Sequence, residues 1–223
     1  QGIQLGYRAM RAGEFAGKAT SNTKIYLDMD GVLANFFAEY AKLAGVTSGN
    51  YRDIPPAKAD PTLDKMIGTD FFARLPMFPT APQLVNLVLQ YVPHYYINSS
   101  PLRGDHANSE LHKRAWIKKH LNPQPKDIVI TGRKESWAVN KADGSPNILI
   151  DDRGTNVEGW RSNGGIGIKY QADEDPLSKV KKELDFAYKT NEEVYFAYPY
   201  LIGEPYGKKN LSSPHLKYKK RYR

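Results

Sequence analysis

Residues 24–36 constrain the fold more than any other stretch of the chain. Lys24 to Leu27 is a short apolar run containing a β-branched residue and an aromatic, the pattern of a buried parallel strand. Asp28 and Asp30 come next, at its carboxyl end, and Gly31 breaks the strand. In open α/β sheets, ligands bind in the crevice outside the carboxyl ends of the strands. Two carboxylates at that point suit a hard cation such as Mg2+, which takes oxygen ligands. Asp and Gly are also ordinary turn residues, so the meaning of this stretch depends on the rest of the chain.

Helices and strands alternate through most of the remaining sequence. Phe36 to Leu43 has helical spacing, with Phe36, Phe37, Tyr40, Ala41 and Ala44 apolar. An amphipathic helix is expected over Pro82 to Tyr91, with Leu84, Leu87, Val88 and Tyr91 on one face. Further strands are expected at His94 to Asn98, Asp127 to Ile130, Asn147 to Ile150 and Gly165 to Tyr170. A helix from Glu110 to about His120, with Ser109 as its N-cap, and a closing helix from Leu177 to Tyr188 complete the pattern. Strands alternating with helices imply an α/β fold with a parallel sheet and right-handed crossovers.

Residues 45–79 differ in character. Pro55, Pro56, Pro61, Pro76 and Pro79 punctuate them, and only Asp64 to Leu75 looks helical. Such a stretch is too long for a plain loop and reads as a small helical cap inserted over the site. The expected organisation is an N-terminal extension over 1–23, a core over 24–44 and 80–190, the cap over 45–79, and a C-terminal extension over 191–223.

The 223 residues carry a net charge of +8. Seven Lys or Arg and no acid lie between Gly207 and Arg223, which leaves 25 basic and 24 acidic residues elsewhere. Basicity therefore belongs to the tail and not to the body. A basic tail with interleaved Tyr218 and Tyr222 could contact nucleic acid, or simply be solvated. Cysteine is absent, which excludes disulfides and thiolate metal sites and fits a reducing compartment. No apolar run is long enough for a membrane span, and the start lacks the apolar core of a secretory leader. A cytoplasmic setting is expected.

Four strand ends carry reactive groups in order: Asp28 and Asp30, then Ser99 and Ser100, then Lys134 just past the third strand, then Asp151 and Asp152. In a parallel sheet all these ends share one edge. Adjacent carboxylates repel unless a cation or a base lies near. Phosphoryl transfer uses such a set: a carboxylate nucleophile, a cation, lysine and hydroxyl on the phosphate oxygens, and a second carboxylate as general acid and base. Lys126 and Lys141 flank Lys134 and could supply the ammonium instead.

The motifs Asp28-Met-Asp-Gly-Val-Leu-Ala, Ser99, Lys134 and Ile150-Asp151-Asp152 resemble the four ordered motifs of haloacid-dehalogenase-like (HAD) phosphatases, over about residues 24–185. The resemblance implies a Rossmann-like three-layer sandwich with a five-stranded, mostly parallel sheet of order 5-4-1-2-3 under a small helical cap, and dependence on Mg2+. It implies that Asp28 is nucleophile and metal ligand. Asp30 would be general acid/base and bind metal through its backbone carbonyl. Ser99 would hold the phosphate and Lys134 neutralise it. Asp152 would ligate Mg2+, with Asp151 behind it or sharing that role.

Wider words, including Phe71-Phe72, Ser99-Ser100-Pro101-Leu102, Ala115-Trp116-Ile117 and Leu149-Ile150-Asp151-Asp152-Arg153, are similar to the 5'(3')-deoxyribonucleotidase branch. That likeness implies a 5'-nucleotidase hydrolysing (deoxy)nucleoside monophosphates. Phe36, Phe71 and Phe72 are candidates to stack on the base, and Ser100 and Arg103 to contact substrate. The branch usually has Thr where Ser99 stands. The tail and N-terminal extension lie outside its pattern, which keeps open an alternative: action on 3'- or 5'-phosphates at nucleic-acid ends, with 207–223 binding the strand. The likeness also fits a bacterium or a phage-infected cell as the setting.

Overall fold

A computed structural model of the chain describes residues 18–189 and 191–198. Five strands form one sheet: β1 (Ile25–Leu27), β2 (Tyr95–Ser99), β3 (Ile128–Ile130), β4 (Ile148–Asp151) and β5 (Ile166–Lys169). Their order is β3-β2-β1-β4-β5 and every pairing is parallel. This is the expected order read from the other edge. Helices α1 (Phe36–Leu43), α2 (Pro56–Asp64), α3 (Ala81–Val88), α4 (His106–His120), α5 (Gly154–Ser162), α6 (Leu177–Tyr188) and α7 (Asn191–Ala197) surround it. None of the described helices is long and apolar enough to cross a membrane.

The strands are short and apolar because both sheet faces are covered. Ile25 and Leu27 of β1 join the large core cluster, together with Ile97, Ile148 and Ile150. Tyr26 points the other way and packs with Leu149, Ala138 and Trp160. Trp116 and Trp160 are fully buried, and each contributes roughly 4–6 kcal/mol of gross hydrophobic stabilisation.

Two helix starts differ from the sequence expectation. The fourth helix begins at His106, so Ser109 is not its N-cap. Buried inside the first turn, the Ser109 hydroxyl accepts from Leu102 N and donates to His106 O, each at 3.0 Å. The first helix of segment 45–79 begins at Pro56, where the missing N–H costs nothing. Phe71–Arg74 is only a 3-10 turn. Trp116 Nε1 donates to Leu75 O at 2.7 Å and Asn108 Nδ2 to Thr69 O at 2.9 Å, tying this segment to α4.

Candidate active site

The strand order reverses at β1, the position where an α/β sheet opens a crevice. Register places Leu27 beside both Ile97 and Ile150. One residue further, Asp28 stands between Asn98 and Asp151, and its N–H donates to Ile150 O at 2.9 Å. The chain then turns sharply. Leu33 N and Ala34 N both donate to Met29 O, at 2.9 and 2.8 Å, which returns Asp30 to the crevice.

Asp28, Asp151 and Asp152 each offer a carboxylate oxygen within 4.8 Å of the other two. Lys134, at the start of a 3-10 turn (Lys134–Trp137), is buried among them. Its Nζ lies 2.9 Å from Asp28 Oδ1 and 2.6 Å from Asp151 Oδ2. Asp151 is fully buried and also accepts from Arg153 N at 2.8 Å and Asn156 Nδ2 at 3.1 Å. Asp28 Oδ1 further accepts from Met29 N at 2.8 Å.

The electrostatics come from burial and crowding. Burial first, then the Asp28 and Asp151 charges, push the Asp152 carboxyl up to about 8. Burial and Asp28 raise Asp151 as well, against the pull of Lys134. For Lys134 burial acts downward, but Asp28 and Asp151 together outweigh it, and the ammonium is held above its ordinary range. With all three carboxyls ionised, the single ammonium would leave two negative charges unbalanced, and this crowding is part of what raises Asp151 and Asp152. A hard divalent cation held by Asp28, Asp152 and neighbouring oxygens fits that donor set and that charge.

Asp30 sits beside this cluster but is held by a different lysine. Lys113, fully buried on α4, donates to Asp30 Oδ2 at 2.5 Å, to Ser100 O at 2.7 Å and to Ser99 Oγ at 3.1 Å. Sequence reading missed Lys113. The available signal was its place on the inward face of α4, in step with Ser109, Trp116 and Ile117.

A cavity of about 630 Å3 opens over these groups. Asp28, Asp30 and Asp152 line it, with Ser100, Arg103, Arg153 and Lys169. Its aromatic lining is Phe36, Phe37, Tyr40, Tyr51 and Phe72. Phe71 does not line it. That ring is buried behind, edge-on to Phe36 and Phe72 at centroid distances of 6.0 and 5.5 Å. Phe37 and Tyr51 stack at 4.2 Å, a pair not singled out from sequence. Arg103 reaches Asp60 at 3.2 Å and Asp64 at 3.4 Å, and Arg52, also in the lining, pairs with Glu174. The basic residues at 207–223 lie outside the described residues.

No family model matches the chain, and no curated protein matches it. Among solved structures, the chain is similar to a HAD-hydrolase of Bacillus subtilis bound to magnesium, at 11% identity and TM-score 0.41, covering 69% of this chain and 89% of that one. A HAD family enzyme of Bacteroides thetaiotaomicron matches at 18% identity and TM-score 0.42, covering 70% and 97%. A phosphonoacetaldehyde hydrolase-like protein of Oleispira antarctica matches at 13% and 0.42, covering 81% and 87%. At such identities and scores the likeness carries no functional weight.

Proposed function

We propose that the protein is a Mg2+-dependent, HAD-type phosphomonoesterase acting on (deoxy)nucleoside monophosphates through an aspartyl-phosphate, an acyl phosphate, at Asp28. The observation that carries the reading is the position of Asp28: at the cavity floor, held by Lys134, beside Asp152 and two residues from a second carboxylate.

Asp28, held in place by the Lys134 ammonium, attacks phosphorus in line with the departing oxygen. Lys134 uses two of its three protons on Asp28 and Asp151, leaving one for a phosphate oxygen. Ser99 offers its hydroxyl to another. Asp30, raised chiefly by burial and only partly restored by Lys113, carries a proton to the leaving alkoxide. It then takes one from the water that cleaves the aspartyl-phosphate. Asp28 and Asp152 would hold Mg2+, with the Asp30 carbonyl and with Asp151 behind them. When bound, the ion neutralises phosphate oxygens as charge develops. The aromatic lining gives a base a face to stack on, with Phe36 and Phe72 nearest the roles read from sequence.

The test is phosphate release from a nucleotide panel with added Mg2+. Turnover by wild type and loss of at least about 1,000-fold in Asp28→Asn are expected. Wild-type turnover in the variant rules out Asp28 as nucleophile. The basic tail supports a second reading, hydrolysis at nucleic-acid ends. Under it, deletion of 207–223 weakens strand binding and flattens its salt dependence, whereas mononucleotide turnover is unchanged by the deletion.

A further inference from the structure

Resting on the phosphatase reading above, the geometry points to Lys113 as a positioning residue that orients both the general acid Asp30 and the phosphate-binding hydroxyl of Ser99. An ammonium has three protons and no acceptor. Lys113 gives all three to protein oxygens: Asp30 Oδ2, Ser99 Oγ and Ser100 O. With full burial, it has nothing left for a substrate. It works through its partners.

The effect on Ser99 is directional. Lys113 occupies an acceptor site on Oγ of the fully buried Ser99, so the hydroxyl proton is turned away from the ammonium, leaving it for the phosphate contact proposed above. The effect on Asp30 is to fix one oxygen. Oδ2 is engaged by Lys113, while Oδ1 has no partner among the described residues. Oδ1 is itself buried, so Lys113 fixes from the inside a side chain that is 22% exposed overall and lines the cavity. Phe72 closes the arrangement, with the Lys113 ammonium 4.6 Å from its ring centroid. A cavity-lining ring and the general acid therefore share one cation.

The division of labour with Lys134 is clean. Lys134 contacts the nucleophile and Asp151; Lys113 contacts the acid and the hydroxyl. Loss of Lys113 should therefore act on proton transfer to the leaving group more than on attack by Asp28.

Leaving-group dependence tests this. Lys113→Met is compared with wild type on a nucleoside 5'-monophosphate, whose alkoxide needs a proton, and on p-nitrophenyl phosphate, whose nitrophenolate does not. On the nucleotide, kcat should fall about 100-fold or more, the scale of general acid catalysis, with KM changed only a few-fold. On the aryl ester, a rapid burst of one equivalent of nitrophenolate should survive, followed by slow turnover, because Asp28 attack is spared and water activation is not. Lys113→Gln, which keeps a donor for Asp30 without the charge, should show the same split to a smaller degree and serves if the Met variant does not fold. Loss of the nitrophenolate burst, or unchanged kcat on the nucleotide, in a wild-type-active background overturns the role of Lys113 alone. A wild-type protein inert toward both esters overturns the proposed function and this inference with it.

Discussion

Gly31 and Asp152 approach so closely that a β-carbon on the glycine would lie 2.9 Å from the aspartate Cγ. The same atom would fall 2.8 Å from the Phe37 ring. Gly31 also has φ +76°, a conformation that disfavours side chains. Gly31→Ala should therefore cost about 1–3 kcal/mol of stability and displace Asp152. The expected outcome is a lower Tm together with at least a tenfold higher Mg2+ concentration for half-maximal phosphate release.

Lys134 is the sole ammonium touching the Asp28–Asp151 pair among the described residues. Removing one partner of a buried ionic cluster leaves uncompensated charge and costs about 3–5 kcal/mol. Lys134→Met should lower the midpoint of denaturant unfolding accordingly, and lower kcat about 100-fold or more by loss of transition-state charge stabilisation. Wild-type turnover in a folded variant would remove Lys134 from the reaction.

The unbalanced charge of Asp28, Asp151 and Asp152 predicts stabilisation by the cation itself. Because the ion binds the folded site and not the unfolded chain, saturation at 100 times Kd adds about 2.7 kcal/mol. Thermal melts with and without MgCl2 should show this for wild type. In Asp152→Ala the increment should be largely lost, whatever the effect of the substitution on the metal-free melt.

A buried carboxylate outside the site makes a prediction about pH. Asp185 on α6 accepts from Tyr91 Oη, Tyr198 Oη and Lys181 Nζ, each at 2.7 Å, and pairs with Lys189 at 3.1 Å. Burial works to raise it, yet Lys181, Tyr91, Tyr198 and Lys189 outweigh burial and hold it well below the carboxylate range. The folded state therefore resists protonation more than the unfolded chain does. This stability is present in full above the ordinary Asp range of about 4 and declines as pH falls below it. Asp185→Asn should flatten that acid limb and lower neutral-pH stability by about 2–4 kcal/mol. An unchanged slope of stability against pH between about 2 and 5 would exclude Asp185 as its source.

The acidic edge of the site was legible in the sequence for a local reason. A parallel sheet sends every strand's carboxyl end to one side, so groups adjacent to strand ends, Asp28, Asp30, Ser99, Asp151 and Asp152, are placed once the strands are recognised. The five-stranded parallel core emerges from the same apolar runs, even though strand limits moved by a residue or two. What the sequence could not resolve was any group delivered by a long side chain or by packing between distant segments. Nothing local says that Lys113 turns inward from α4 to hold Asp30, or that Lys134 and not Lys126 or Lys141 enters the carboxylate cluster. Nor does it say that Phe71 is buried behind Phe36 and Phe72 while Phe37 and Tyr51 face the opening. Those choices depend on how α4 and segment 45–79 dock against the sheet, and only tertiary packing decides the direction in which a lysine or a ring points.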